Sequence, residues 1–328
     1  STTNAPINLG TAGNITLTGN CTLSSGSGAI TLFDIPGPAN CNLVLTGSGT
    51  NTLGVVNLGS GTLDLSGLTG GSTTVNGGLT AQALSTPAVA VNLAFNAGAG
   101  GQSSTITNAV TFSNTGTLTL GNDAADSITF TGGVTATASS AVNTAGTVAT
   151  GGGAGQDINF GDGDTGVVLT ANTTLNAGAV GDITLGGEVN GGFTLALTST
   201  GTTVLQGTVG NTTALTGVST NAGGTTQILT TSIRTSGAQT WGDAVSIGAS
   251  LTLNSGGGSI TFASTVDAQN NNLTIAGGTG AGTVTFQGAV SNLGSGTGAA
   301  LTVGNGVTGL IRFQSTLSGN SGIAANNA

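Results

Sequence analysis

Apolar and polar residues alternate along this chain in short runs separated by glycine. Examples are Asn14-Ile15-Thr16-Leu17-Thr18, Leu43-Val44-Leu45, Thr62-Leu63-Asp64-Leu65, Thr117-Leu118-Thr119-Leu120, Leu251-Thr252-Leu253 and Leu273-Thr274-Ile275. A period of two puts the apolar side chains on one face and Thr, Asn or Asp on the other, so each run predicts a short β-strand. Gly-Gly, Gly-Ser, Asn-Gly and Gly-Asn clusters between the runs predict turns. Strands this short do not form independent sheets. They have to stack on equivalent strands elsewhere in the chain.

A longer unit supplies those partners: a large apolar residue followed four positions later by a branched one. Its clearest copies are Ile128-Thr129-Phe130 leading to Val134, Ile260-Thr261-Phe262 to Val266, Val284-Thr285-Phe286 to Val290, and Ile311-Arg312-Phe313 to Leu317. With the large residue as marker, the series runs Phe112, Phe130, Phe160, Leu185, Leu205, Leu229, Trp241, Phe262, Phe286 and Phe313. Leu229 and Trp241 are too close together to share a face. A supersecondary unit repeated at such an interval, on the order of 20 to 28 residues, predicts a solenoid.

The expected fold is all-β, a right-handed parallel β-helix of about 13–15 rungs, with a length of roughly 60–70 Å. Residues 1–328 read as one domain, less regular over 1–105 and regular over 106–328. Ile35-Pro36-Gly37-Pro38 reads as a corner loop. The markers Phe112, Phe130, Phe160, Trp241, Phe262, Phe286 and Phe313 are expected to point inward, Trp241 as core and not as a ligand platform.

Composition removes several classes. Glycine contributes 62 residues without a three-residue period, so the chain is not collagen-like. A mean hydropathy of +0.31 and 4% charged residues are the reverse of a disordered composition. Arg234 and Arg312 are the only cations against eleven acids, for a net charge of −9. Nucleic-acid binding needs many cations to displace counterions from phosphate, so no nucleic-acid partner is expected. No apolar stretch approaches the ~18 residues of a membrane-spanning helix, so no membrane insertion is expected. The chain has no methionine and opens with Ser1-Thr2-Thr3. That start predicts a secreted, extracellular or cell-surface form whose leader has been removed.

Two cysteines sit in matching contexts, Asn20-Cys21-Thr22-Leu23 and Asn40-Cys41-Asn42-Leu43. Their separation is close to one coil, so stacking predicts a Cys21–Cys41 disulfide in an oxidising compartment; a pair of free thiols is the alternative.

Little in the sequence supports catalysis. His, Lys and Tyr are absent, which removes most general bases and activated nucleophiles. The carboxylate pairs Asp123 with Asp126 and Asp162 with Asp164 fit solvated turns better than a glycosidase pair, and no enzyme activity is expected. Gly152-Gly153-Ala154-Gly155-Gln156-Asp157-Ile158-Asn159-Phe160 fits a nonapeptide that binds Ca²⁺ between coils, making Asp157, Asp162 and Asp164 a weak calcium candidate. The motif occurs once and needs tandem copies. No other cofactor is expected.

The stretch Thr235-Ser236-Gly237-Ala238-Gln239-Thr240-Trp241-Gly242-Asp243-Ala244-Val245, with Leu251-Thr252-Leu253 and Ser259-Ile260-Thr261-Phe262 after it, resembles the repeats of bacterial secreted adhesins of the filamentous-haemagglutinin and autotransporter-passenger type. The resemblance covers about residues 105–318 and implies a right-handed β-helix exported to the cell surface. It transfers no functional residue. Such passengers are usually far longer, and no secretion domain or translocator barrel is visible in this sequence.

Residues 1–33 carry no charged side chain and none follows Arg312. End rungs without gatekeeper charges predict head-to-tail joining of copies into a filament. The expected function is therefore an extracellular structural subunit. A surface adhesin with glycan or surface contacts is the alternative, and a polysaccharide-active enzyme comes third.

Overall fold

The computed structural model describes residues 1–10, 13–276, 282–294, 299–304 and 307–325. Among them there is no helix, and every strand pairing is parallel, giving a β-solenoid of about 13 turns. Each coil visits three faces in the same order.

On the first face, Ile7–Leu9 pairs with Ile30–Leu32, which pairs with Thr50–Leu53, and the ladder continues to Ile323–Ala325. Where regular strand lapses near residue 209, single bridges from Val189 to Val209 and from Val209 to Ile233 carry it across. The second face runs from Val56–Asn57 through Ser127–Phe130 and Gln239–Trp241 to Ile311–Phe313. The third begins with the four strands Cys21–Ser24, Leu43–Thr46, Thr62–Asp64 and Ala83–Ser85. Ten more follow, from Val110–Thr111 to Leu317–Gly319. Two long strands, Ala141–Thr150 and Gly166–Gly178, bend from the first face onto the second and fuse those ladders into one sheet.

Register sets the coil length, and the length varies. Ile228 pairs with Ile247 across one of the shortest coils, and Ile275 pairs with Val303 across one of the longest. The extra residues are absorbed at corners, which keeps the columns aligned. The irregular N-terminal third is part of the same ladder, with pairing continuous from Ile7 to Leu120 on the first face.

The alternation in sequence becomes alternation between core and solvent. One inward column of the second face reads Ser104, Ile128, Val148, Leu175, Leu197, Thr220, Trp241, Phe262, Phe286 and Phe313. Its aromatic end is a parallel stack. Phe262 and Phe286 have centroids 4.9 Å apart at 5°, and Phe286 and Phe313 lie 5.0 Å apart at 2°. Phe112 and Phe160 belong instead to the third-face side of the core, and Phe112 meets Phe130 edge-on at 5.8 Å. Each fully buried aliphatic or aromatic side chain contributes about 1.5–3 kcal/mol, which offsets the entropy lost in ordering the coils.

Three sequence expectations change in detail. Leu229 is 41% exposed, and Ile228 fills the inward position between Leu205 and Ile247. The spacing therefore misplaced that marker by one residue, which reverses its face. Phe313 stacks on Phe286 but is 38% exposed, because it is the last described ring of its column.

The Cys21–Cys41 disulfide is the third: it does not form, and both thiols are free. Cys21 stands opposite Leu43 on the next coil, and Cys41 falls two residues upstream of that partner. An offset of roughly 6.6 Å along the strand, added to the interstrand spacing of about 4.8 Å, exceeds the ~7 Å limit for a disulfide. Iodoacetamide under native, non-reducing conditions should label half-buried Cys21 readily and Cys41, 8% exposed, only after unfolding. Mass spectrometry that finds neither thiol labelled in denaturant would contradict the free pair.

Candidate functional site

The corners hold most of the polar chemistry. Where the backbone turns between strands, an Asn or Asp side-chain oxygen takes the place of a main-chain carbonyl and accepts an N–H from the next coil. Asn20 Oδ1 accepts from the Asn42 amide at 2.9 Å, and Asn42 Oδ1 accepts from the Thr62 amide at 2.9 Å. Asn172 Oδ1 does the same for Thr194 at 3.1 Å. Asp157 and Asp182 form a second such series, accepting from the amides of Asp182 at 2.8 Å and Thr202 at 2.6 Å. These residues satisfy donors that the turn would otherwise strand. Sequence reading missed this role, although a signal existed. Asn20, Asn42, Asp157 and Asp182 each stand immediately ahead of a strand.

That use competes with calcium binding. Asp157 spends an oxygen on its corner, and the Gly152–Gln156 loop is closed by its own glutamine, with Gln156 Oε1 accepting from the Gly153 N–H at 2.7 Å. Asp162 lies beyond the strand Ile158–Phe160 and accepts from the amides of Asp164 and Thr165, both at 3.0 Å. Among the described residues no three carboxylate or thiol groups converge on a metal position. Asp157, Asp162 and Asp164 are thus not brought together.

The Asp164 amide, followed by the Thr165 amide, holds the Asp162 carboxyl below its ordinary value. This turn contributes stability at neutral pH and loses it as pH falls through that lowered value.

The second weighed carboxylate pair is also built into the fold. Asp126, 2% exposed, accepts from the amides of Gln102 at 2.7 Å, Asn122 at 2.8 Å and Asp123 at 2.9 Å. Asp123 caps Ala125 at 2.9 Å. One carboxylate of the pair is consumed by three backbone donors, which is the geometry of a structural cap.

Another buried acid escaped sequence reading. Asp243, 1% exposed, accepts from the Gly224 amide at 2.9 Å and the Thr226 hydroxyl at 3.0 Å. Burial pushes its carboxyl above its ordinary value, against the pull of those two donors.

The outer surface differs between faces. On the second face the column Ser127, Thr147, Thr174, Ala196, Ser219, Thr240, Thr261 and Thr285 is uncharged and almost wholly hydroxylated. The third face carries Asp64 and Asp267 in its strands, and the first carries Arg234. Arg312 is exposed at the end of the second. Trp241 is fully buried within its column. No helix among the described residues is long and apolar enough to cross a membrane.

Comparison with protein-family models, with curated proteins and with solved structures finds no match to this chain.

Proposed function

We propose that the protein is an extracellular structural protein, a rod that extends into filaments by end-to-end stacking of coils. One observation carries the reading: successive coils pair in parallel on the same three faces, so each coil is a template for the next. The stack from Trp241 runs to Phe313, a ring that is 38% exposed, and Leu310 and Ile323 are exposed at 56% and 55%. A parallel edge and an apolar column of this kind favour addition of another coil. Contact between unlike ends does not close on itself and propagates as a filament.

Negative-stain images of purified protein should show rods of uniform width and variable length, and Phe313→Asp should shorten them to single units. Monodisperse single units at high protein concentration in the unaltered chain would overturn this reading.

The hydroxylated column of the second face favours a second reading, a secreted adhesin that contacts neutral, hydroxyl-rich surfaces. It requires a single rod to bind such a surface and Ser219→Tyr to weaken that binding without changing the rod's length.

A further inference from the structure

Asp243 is a buried acid without a cation. Its two hydrogen-bond donors are a backbone amide and a neutral hydroxyl, whereas Asp126, comparably buried, receives three backbone amides. The elements around Asp243 supply no charge to compensate it. It stands immediately ahead of the strand Ala244–Ile247, with Thr225–Ile228 on the coil before and Val266–Asp267 on the coil after. The neighbouring second-face strands are Gly217–Thr220 and Gln239–Trp241. The only other titratable side chain in this set is Asp267, itself an acid. It stands opposite Ser246 and accepts from the Gln269 amide at 3.0 Å and the Asn292 side chain at 2.9 Å. Arg234 is exposed on the first face.

Beside the carboxyl runs a short column of inward hydroxyls. Thr226 donates to Asp243 Oδ2, and Thr203 is its in-register neighbour one coil earlier. Thr203 Oγ1 is buried and without a hydrogen-bond partner. A buried carboxylate that receives only two donors is costly to keep charged.

We propose that Asp243 and Thr226 form a proton-operated latch that stabilises the closed turn at Gly224 when the carboxyl takes up a proton. The proton comes from solvent and binds Oδ2, and no bond between heavy atoms changes. Oδ2–H then donates to Thr226 Oγ1. Oδ1 keeps the Gly224 amide throughout, so the turn is held in both states and the cost of a buried charge is removed in one.

The direction of pH dependence follows from a carboxyl held above its ordinary value in the folded state. Its stabilising contribution is fully present below the ordinary aspartate value and is lost as pH rises through the folded value. This is opposite in sign to Asp162, so global acid unfolding cannot isolate it and a local readout is needed.

Amide hydrogen exchange at Gly224, corrected for intrinsic rate and divided by that of Val142 on a distant coil, supplies the readout. Several-fold greater relative protection is expected at pH 4 than at pH 7. Asp243→Asn, which mimics the neutral group, should show the higher protection at both pH values. Thr226→Val should lower protection at pH 7 and make the pH dependence steeper. Relative protection at Gly224 that does not change with pH in the unaltered protein would overturn the latch, whether or not either variant folds. So would an Asp243→Asn protein that keeps the same pH dependence. Neither result bears on filament formation, which is read separately by microscopy.

Discussion

Phe286→Ala is expected to destabilise the solenoid by about 3–5 kcal/mol, the range for truncating a buried aromatic without collapse of the site. Phe286 is fully buried between Phe262 and Phe313, with ring centroids 4.9 and 5.0 Å away. The neighbouring backbones are fixed by parallel pairing on both sides, so they cannot close over the lost ring. In a repeat array stability is the sum of nearest-neighbour terms, so the loss should be local at first. Limited proteolysis should cut the coils after Phe262 in the variant at temperatures where the unaltered chain resists. Phe193→Ala, at a ring that is 37% exposed, serves as the control and should change stability by well under half as much. Equal effects from the two substitutions would show that the aromatic column does not hold the coils together.

Gly49→Ala should destabilise by about 1–3 kcal/mol or more, through overpacking instead of cavity formation. A Cβ at Gly49 runs into the carbonyl oxygen of Gly28, and one at Gly71 runs into that of Gly49. Successive coils approach backbone to backbone at this corner, and no flexible side chain is present to move aside. Gly71 also has φ of 77°, in the region that L side chains avoid. Gly37→Ala is the matched control, since a Cβ there meets nothing within 4 Å. Its effect should stay within about 0.5 kcal/mol. Thermal melts by circular dichroism decide the matter, and a Gly49→Ala protein that melts with the unaltered chain would refute the close approach.

Much of the architecture was legible because the two-residue period is a local property. Ile260-Thr261-Phe262 alternates in sequence and buries Ile260 and Phe262. The same spacing failed at Leu229, where one residue of slippage moved the core position to Ile228. Matching contexts suggested that Cys21 and Cys41 share a column, but the coil closes with Cys21 against Leu43 instead. Spacing in sequence counts corner residues along with strand residues, and only pairing separates the two.

The candidate site was less legible for a related reason. Asp157, Asp162 and Asp164 lie near one another in sequence, yet they are divided between a corner acceptor and a separate turn. Asp243 drew no reading of its own because nothing local marks it as buried. Its environment comes from Gly224 and Thr226, one coil earlier in the chain.

By itself the sequence determined that strands form, which side chains alternate, that coils repeat, and that two cations stand against eleven acids. Those properties depend on neighbours a few residues away and on total composition. The tertiary structure alone decided which residues share a column, which corner groups replace main-chain carbonyls, and which acid lies in the dry core. Each of these is set by the in-register stacking of one coil on the next, such as Leu93 upon Thr73. Across a whole coil of chain, sequence distance no longer measures distance in space.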